Sequence, residues 1–192
     1  MRRFLVLGHT AASAPGFSHK DLSGTGGRID ILARCLPAAF LVSHGLRPEV
    51  ELTCLHLGPP AAPKAVRVRS AELRHLNPDE RTSALLLEKA LGAATTGPVW
   101  QAATPGVQVA KLGLAELLDG PVVVLAEDGV DIASARLPED ALFVLGDHLG
   151  FTAEEEALLA SKAVARVSLG PVSLQADQCL VVLHNHVDRA GG

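Results

Sequence analysis

The clearest strand-to-loop passage of the chain is Phe143-Val144-Leu145-Gly146-Asp147-His148-Leu149-Gly150-Phe151. An apolar strand ends there abruptly in small and polar residues. Ligands of open α/β sheets lie at the carboxyl ends of the strands, so the stretch predicts a ligand pocket beside Gly146. The alternative is that Asp147 and His148 only cap the following turn, with the two glycines as ordinary turn residues.

Outward from this stretch, short apolar runs alternate with helix-like segments along the whole chain. This pattern predicts an α/β domain with a mostly parallel sheet. The predicted strands cover 3–7, 51–56, 65–69, 121–125, 141–145 and 165–167, and the predicted helices cover 29–41, 79–91, 112–118, 153–162 and 174–187. Asn77-Pro78 and Thr152 are predicted to cap two of the helices. Segments 58–63 and 92–106, rich in Pro, Gly and Ala, are predicted to be loops inside the domain rather than linkers.

The composition predicts one soluble domain over residues 1–192. Hydrophobic residues make up 48% of the 192 positions, enough for a substantial core. Cys35, Cys54 and Cys179 are far apart and lack ligand spacing, so neither a zinc site nor a disulfide framework is expected. The apolar runs are far shorter than the ~20 residues of a membrane span. A reducing, cytoplasmic location is the expectation.

Charge is distributed unevenly between the two halves. The chain has a net charge of −4, but residues 1–100 hold 12 Lys/Arg against 8 Asp/Glu, and residues 101–192 hold 5 against 13. A chain whose first half faces a polyanion would have this distribution. Uneven solvated surface charge explains it equally well, and the charge alone leaves both explanations open.

A glycine-rich loop, Asp21-Leu22-Ser23-Gly24-Thr25-Gly26-Gly27-Arg28-Ile29-Asp30, runs into a predicted helix. Free N–H groups at a helix start favour anionic groups, and glycines allow close approach of a ligand. A phosphate-binding P-loop would need Lys followed by Ser/Thr where Arg28-Ile29 stand, so an NTPase is excluded. Taken alone, the loop is more typical of a tight turn than of a binding site.

Two further segments near the end of the chain are compatible with a ligand. Val167-Ser168-Leu169-Gly170-Pro171-Val172-Ser173-Leu174 is a strand-to-helix passage rich in small residues, whose backbone can wrap a ligand or make a turn. The following helix carries Ala176-Asp177-Gln178-Cys179. A lone cysteine in such a helix is more often a small buried apolar residue than a nucleophile.

Together these segments resemble a known family. The stretch 143–156, the loop 168–171 and the Ala-Asp-x-Cys helix are similar to the second half of the archaeal tRNA pseudouridine N1-methyltransferases. In the first half, the stretch 21–30, Ser43-His44-Gly45-Leu46-Arg47 and His75-Leu76-Asn77-Pro78-Asp79-Glu80-Arg81 agree with that family in order and spacing. The resemblance thus covers nearly the whole chain.

The family is a branch of the SPOUT methyltransferases, and the resemblance implies an α/β fold closed by a C-terminal trefoil knot. It also implies a homodimer, S-adenosylmethionine as cofactor, no metal, and structured RNA, most naturally tRNA, as substrate. An RNA-facing part at about 1–110 would precede a knotted cofactor-binding part at about 120–192. The implied cofactor-binding residues are Leu125, Gly146, Ser168, Leu169, Gly170, Pro171, Val172, Ser173 and Cys179.

The resemblance extends to a ribosomal-RNA pseudouridine N1-methyltransferase whose Arg-Pro-Asp-Ile stretch is similar to Arg28-Ile29-Asp30-Ile31. By this analogy Arg28 contacts RNA or the target base. Asp30 either orients that arginine or accepts the N1 proton, for which its pKa would have to rise. The expected RNA contacts are Arg28, Arg34, Arg47, Arg67, Arg69 and Arg74, with Lys64 and Arg81 as further basic residues.

Three points stay open on the sequence alone. Gln175 and Gln178 stand where histidine is expected in many relatives, which leaves the polar role of the last helix undefined. A non-catalytic protein that keeps the S-adenosylmethionine pocket is one alternative function. A ribosomal-RNA pseudouridine methyltransferase is another.

Overall fold

The computed structural model describes residues 1–95 and 97–190 as an α/β fold with an eight-stranded sheet. The strands are β1 (Arg2–Gly8), β2 (Leu41–Val42), β3 (Gly45–Leu46), β4 (Val50–His56), β5 (Lys64–Arg69), β6 (Gln101–Thr104), β7 (Val107–Ala110), β8 (Val122–Asp131), β9 (Leu142–Leu145) and β10 (Ala163–Ser168). The helices are α1 (Ile29–Phe40), α2 (Glu80–Leu91), α3 (Leu114–Leu117), α4 (Ala153–Lys162) and α5 (Ala176–Ala190), with a 3-10 turn at Ile132–Ser134.

The sheet order is β10-β8-β9-β1-β4-β5-β7-β6, while β2 and β3 form a separate small hairpin. Neighbours from β10 to β4 pair in parallel, and neighbours from β4 to β6 pair antiparallel. The predicted α/β class with a mostly parallel sheet is confirmed, and its antiparallel edge is an addition. The parallel half matters for function, because its carboxyl ends all open on the same side.

Each predicted strand and helix is present. Most ends shift by one to three residues, but β8 extends six residues past its predicted end at 125, and α3 covers only Leu114–Leu117 of the predicted 112–118. The segment 92–106 was wrongly predicted to be loop throughout, since β6 lies inside it; Thr96 of that segment is outside the described residues. Gln101-Ala102-Ala103-Thr104 has no strong apolar alternation. It becomes a strand because a tight turn at Gly106 (φ 77°) pairs it with β7.

Two apolar layers enclose the sheet. On one face, alternate residues such as Phe4 and Val6 pack with α1, α2 and α5; on the other, Leu5 and Leu7 pack with α3 and α4. Successive side chains of a strand point to opposite faces, so this alternation follows directly from the central position of β1. Among the described residues, no helix is both long and apolar enough to cross a bilayer.

The helix caps agree with the sequence in one case and correct it in the other. Thr152 accepts a hydrogen bond from the N–H of Glu155, whose carboxylate accepts one from the N–H of Thr152, so α4 begins with the predicted cap. At α2 the cap is Asp79, not Asn77-Pro78, because the Asp79 carboxylate accepts from the N–H of Thr82 at 2.9 Å.

Candidate active site

A cavity of about 990 Å³ opens at the carboxyl ends of β8, β9 and β10. The loop 168–175 and the start of α5 form one wall, and α1 contributes another. Eight of the nine predicted cofactor-binding residues line it: Leu125, Gly146, Ser168, Leu169, Gly170, Val172, Ser173 and Cys179. Pro171 belongs to the same loop but is not part of the lining. The fold thus brings three separate sequence segments to one cavity.

The loop 146–150 is both a turn and a cavity wall. Asp147 accepts a hydrogen bond from the N–H of Leu149, and its backbone pairs with that of Gly150. Asp147 therefore caps this turn, as the alternative interpretation of the stretch predicted for it. Gly146 also lines the cavity. A Cβ on Gly146 would lie 2.5 Å from the carbonyl oxygen of Gly150, so glycine is required by the turn rather than by free space in the cavity.

Several cavity residues were missed from the sequence. Strand β8 continues past the predicted end at 125 and carries Glu127 and Asp128 to the rim. Arg166 on β10 bonds Asp128 at 2.8 Å and Glu156 at 2.8 Å, which fastens the rim. Glu127 and Asp128, two acids directly after an apolar run, could have been identified as site residues from the sequence. Arg166 could not, because β10 lies beside β8 only as a result of the order of strands in the sheet.

The thiol of Cys179 faces the cavity in a half-buried position. Burial raises the pKa of this thiol to about 11. It is therefore protonated near neutral pH, and a protonated thiol is a poor nucleophile. The interpretation of Cys179 as a small apolar contact agrees with this environment.

Gln175 and Gln178 contact each other at the start of α5. Gln175 lines the cavity, and its N–H donates to Oε1 of Gln178 at 3.0 Å. Gln178 therefore satisfies a backbone donor at the beginning of α5, where the first N–H groups of a helix lack partners. A histidine is not needed for this capping contact.

A second polar cluster, which the sequence did not predict, contacts the loop 146–150 through Asp147. Nδ1 of His9 lies 2.9 Å from Oδ1 of Asp147, and Nε2 of His9 lies 2.8 Å from Oε2 of Glu155. Burial alone would lower the pKa of His9, but the two carboxylates outweigh it and raise that pKa above its ordinary value. The Asp147 side chain is 1% exposed, so this contact fixes the backbone beside Gly146.

Arg28 and Asp30 form a bidentate pair at the entrance of α1. Arg28 Nε donates to Oδ1 at 3.0 Å and Nη2 donates to Oδ2 at 3.1 Å. Arg28 lines the cavity and has a left-handed backbone (φ 67°, ψ 28°), unusual for a residue with a side chain. The backbone of Gly27 packs directly on the carbonyl of Thr10, so the glycine-rich loop is a tight turn that aims Arg28 at the cavity.

Asp30 is poorly suited to accept a proton. Burial would raise the pKa of its carboxyl group, yet hydrogen bonds from Arg28 and Arg34 lower it below the ordinary value. A carboxylate held by two guanidinium groups binds protons weakly. The geometry therefore favours Asp30 as the residue that orients arginine.

The other predicted RNA contacts are divided between two places. Arg34 lies at the cavity beside Arg28. The remaining four do not line the cavity. Arg47 bonds Asp188, Arg67 bonds Gln108 and lies over Trp100, Arg69 bonds Glu51, and Arg74 is exposed.

Lys64 and Arg81 have opposite environments. Lys64 is 7% exposed and donates to the carbonyl of Leu91, so its ammonium group caps α2 and is not available to a phosphate. Arg81 is exposed.

In the described part of the chain, His, Cys, Asp and Glu side chains form no group of three that would hold a metal ion.

The fold and the cavity together define an α/β protein with a ligand-sized cavity at the carboxyl ends of its parallel strands. The chain is similar to the crystal structure of Nep1 from Archaeoglobus fulgidus bound to S-adenosylhomocysteine, with a TM-score of 0.62 and 16% identity over 99% of this chain and 98% of that one. At this identity the likeness establishes the fold alone.

The family follows from sequence comparison. Residues 1–191 match the family model described as "Putative SAM-dependent RNA methyltransferase", and the chain belongs to this family. Proteins named tRNA (pseudouridine(54)-N(1))-methyltransferase are 44% identical in Methanocella arvoryzae (98% of this chain, 100% of that protein) and 45% identical in Halobacterium salinarum (100% and 98%).

Proposed function

We propose that this protein transfers the methyl group of S-adenosylmethionine to N1 of pseudouridine 54 in tRNA, the reaction for which its relatives are named. The observation that carries the proposal is the convergence of Arg28 and the segments around Leu125, Gly146 and Ser168 on one cavity. A family match alone would leave a non-catalytic binder possible. The half-buried Arg28–Asp30 ion pair beside the cavity supplies the additional, catalytic feature.

The cavity fits the cofactor in size and character. Its volume of about 990 Å³ is at the upper end of the usual range for a drug-sized ligand. Leu125 and Leu145 provide an apolar floor, and the backbone at Gly146 and Gly170 presents polar groups without side chains. When bound, S-adenosylmethionine supplies an electrophilic methyl group on a positively charged sulfur.

The residues of the chain then have to orient the base and support its charge. N1 of pseudouridine becomes nucleophilic as its proton leaves, and negative charge spreads to the neighbouring carbonyl oxygen. Arg28, whose pKa is raised by hydrogen bonding to Asp30, stays protonated and can donate to that oxygen. Asp30 holds the guanidinium in place, and the N1 proton passes to water. Positioning of N1 in line with the methyl group supplies much of the rate.

The proposal includes a knotted C-terminal part and a homodimer. After β10, at the edge of the sheet, the chain returns across the ends of β8 and β9 so that α5 packs on α1, which supports a threaded connection. Large apolar side chains in this part are exposed, among them Leu149 (58%), Val172 (69%) and Val181 (55%), which supports a second copy covering them. Analytical ultracentrifugation tests the dimer.

The same proposal divides the chain into an RNA-facing part at about 1–110 and a cofactor-binding part at about 120–192, acting in the cytoplasm where tRNA is modified. Arg28 is the RNA contact that the cavity supports best. Arg47, Arg67, Arg69 and Arg74 would engage the same RNA only where it extends beyond one copy's cavity. A dimer provides such a surface.

The test uses three transcripts and labelled S-adenosylmethionine. We expect label in tRNA with pseudouridine at position 54, none in the same tRNA with uridine there, and N1-methylpseudouridine among the digested nucleosides. Tight cofactor binding without label in any transcript would favour the non-catalytic alternative. Preferential labelling of a pseudouridine-containing ribosomal RNA fragment would favour the second alternative.

A further inference from the structure

Arg34 sits where three helices meet. Its Nη1 donates to Asp30 of α1 at 2.8 Å and to Glu80 of α2 at 3.3 Å. Its Nε faces Oδ1 of Asp177, in the first turn of α5, at 3.5 Å. Among the described residues, neither Nε of Arg34 nor Oδ1 of Asp177 has a hydrogen-bond partner. The ion pair between them is therefore the contact that neutralises both atoms.

This environment is unfavourable for a phosphate contact. Three carboxylates surround one guanidinium, and the side chain is only 28% exposed. A phosphate approaching Arg34 would meet the negative charges of Asp30, Glu80 and Asp177, and it would have to displace existing ion pairs. Arg74, by contrast, is exposed.

The same contacts link the two sides of the proposed reaction. Oδ2 of Asp30 accepts from both Arg28 and Arg34, so loss of Arg34 leaves Asp30 held only by the residue that it should orient. Asp177 is the second residue of α5, the helix that begins directly after the cavity-lining loop 168–175. Arg34 therefore contacts both Asp30, which supports Arg28, and the first turn of the helix that follows the cofactor loop.

We propose that Arg34 is a positioning residue: it holds Asp30, and through it Arg28, in register with the cofactor loop, and it does not bind RNA phosphate. The inference rests on the proposed methyltransferase function and assigns Arg34 a part in it. Lysine cannot replace it, because one ammonium group cannot hold three carboxylates in the geometry of a planar guanidinium.

The experiment measures single-turnover methylation of pseudouridine-containing tRNA at saturating RNA, together with RNA affinity over roughly a tenfold range of KCl. For Arg34→Lys and Arg34→Gln we expect the rate to fall about 10²-fold, the loss typical of a misplaced reacting group. The slope of log affinity against log salt should stay that of wild type. Asp177→Asn should also slow methylation, although it removes a negative charge and by electrostatics alone would tighten RNA binding.

A phosphate contact gives the opposite pattern. Arg34→Gln would then reduce the salt slope by about 0.7 to 0.9, while Arg34→Lys, which keeps its charge, would methylate at nearly the wild-type rate. That result overturns the proposal, as would an unchanged rate in Asp177→Asn. Arg136→Gln, at an exposed position that does not line the cavity, is the matched loss of charge and should change neither quantity.

Folding and function are controlled separately. Circular dichroism and S-adenosylhomocysteine affinity identify variants that are merely misfolded, and Arg34→Lys and Asp177→Asn keep the question decidable if Arg34→Gln does not fold. Failure of the proposed function is distinct, because wild type would then label no pseudouridine-containing RNA. Wild-type labelling with full activity in Arg34→Lys would overturn the inference alone.

Discussion

Arg28 and Asp30 hold each other through two parallel hydrogen bonds, 3.0 Å and 3.1 Å long, at the rim of the cavity. Only one residue separates them in sequence, and the left-handed backbone of Arg28 turns its side chain back toward the start of α1. A bidentate pair fixes both the direction and the plane of the guanidinium. The pair thus gives the rim of the cavity a guanidinium of fixed orientation.

Replacement of Arg28 should separate RNA methylation from cofactor binding. We expect Arg28→Ala to lower the single-turnover rate about 10²- to 10³-fold, as is typical for loss of one charge-stabilising donor. S-adenosylhomocysteine affinity, measured by calorimetry, should stay within about threefold because the apolar floor and the loop 168–175 are intact. Equal losses of cofactor affinity and rate would contradict this division of roles.

Replacement of Gly146 should abolish cofactor binding through the backbone. The Cβ of Gly146→Ala would collide with the carbonyl of Gly150, so the turn that shapes the cavity has to move. We expect calorimetric affinity for S-adenosylhomocysteine to fall at least about tenfold, and further for Gly146→Val. Gly97→Ala, whose Cβ would meet open space, is the control and should bind normally. Normal binding by Gly146→Ala would refute the steric argument.

The His9 cluster should make stability depend on pH. The folded-state pKa of His9 is raised above 6.5 and that of Glu155 is lowered below 4.5. The contribution of His9 is therefore complete below its unfolded pKa and lost as pH rises through the folded one; that of Glu155 is lost as pH falls through its folded pKa. At a pH above the folded-state pKa of Glu155 and below 6.5, His9→Asn should lower the free energy of unfolding by about 1 to 3 kcal/mol.

Urea unfolding at about pH 5.5 and about pH 8.5 measures this difference. The gap between wild type and His9→Asn should be large at the lower pH and small at the higher. His9→Gln, which likewise cannot be protonated, should give the same pattern as His9→Asn. A gap of constant size across this range would mean that His9 acts only through its shape.

Cys179 should react slowly with alkylating reagents. A pKa of about 11 leaves only on the order of one thiolate in 10³ at pH 8, so iodoacetamide should modify it far more slowly than free cysteine. S-adenosylhomocysteine should slow the reaction further, because the side chain lines the cavity. Mass spectrometry of the alkylated protein measures both rates. Rapid modification would contradict the raised pKa of the thiol. Absence of protection by S-adenosylhomocysteine would show that Cys179 does not contact the bound ligand.

Local patterns predicted most of the secondary structure. The apolar runs of β1, β4 and β9 are buried on both faces, so their hydrophobicity identifies them without any knowledge of neighbours. The start of α4 was predictable because Thr152 and Glu155 form their cap within one turn. Strand β6 was missed because its stability comes from pairing with β7, not from its own composition.

The α/β class, the strand that precedes Gly146 and the small-residue loop 168–173 were predictable from the sequence, since each depends on residues near one another in the chain. The sequence left open whether Asp30 orients Arg28, and the contacts of His9 with Glu155, 146 positions away, and of Arg34 with Asp177 arise only in the folded chain. Such contacts depend on the order of strands in the sheet and on which helix returns to pack beside which. A linear pattern does not specify that order, because strands of similar hydrophobicity can neighbour one another in many arrangements.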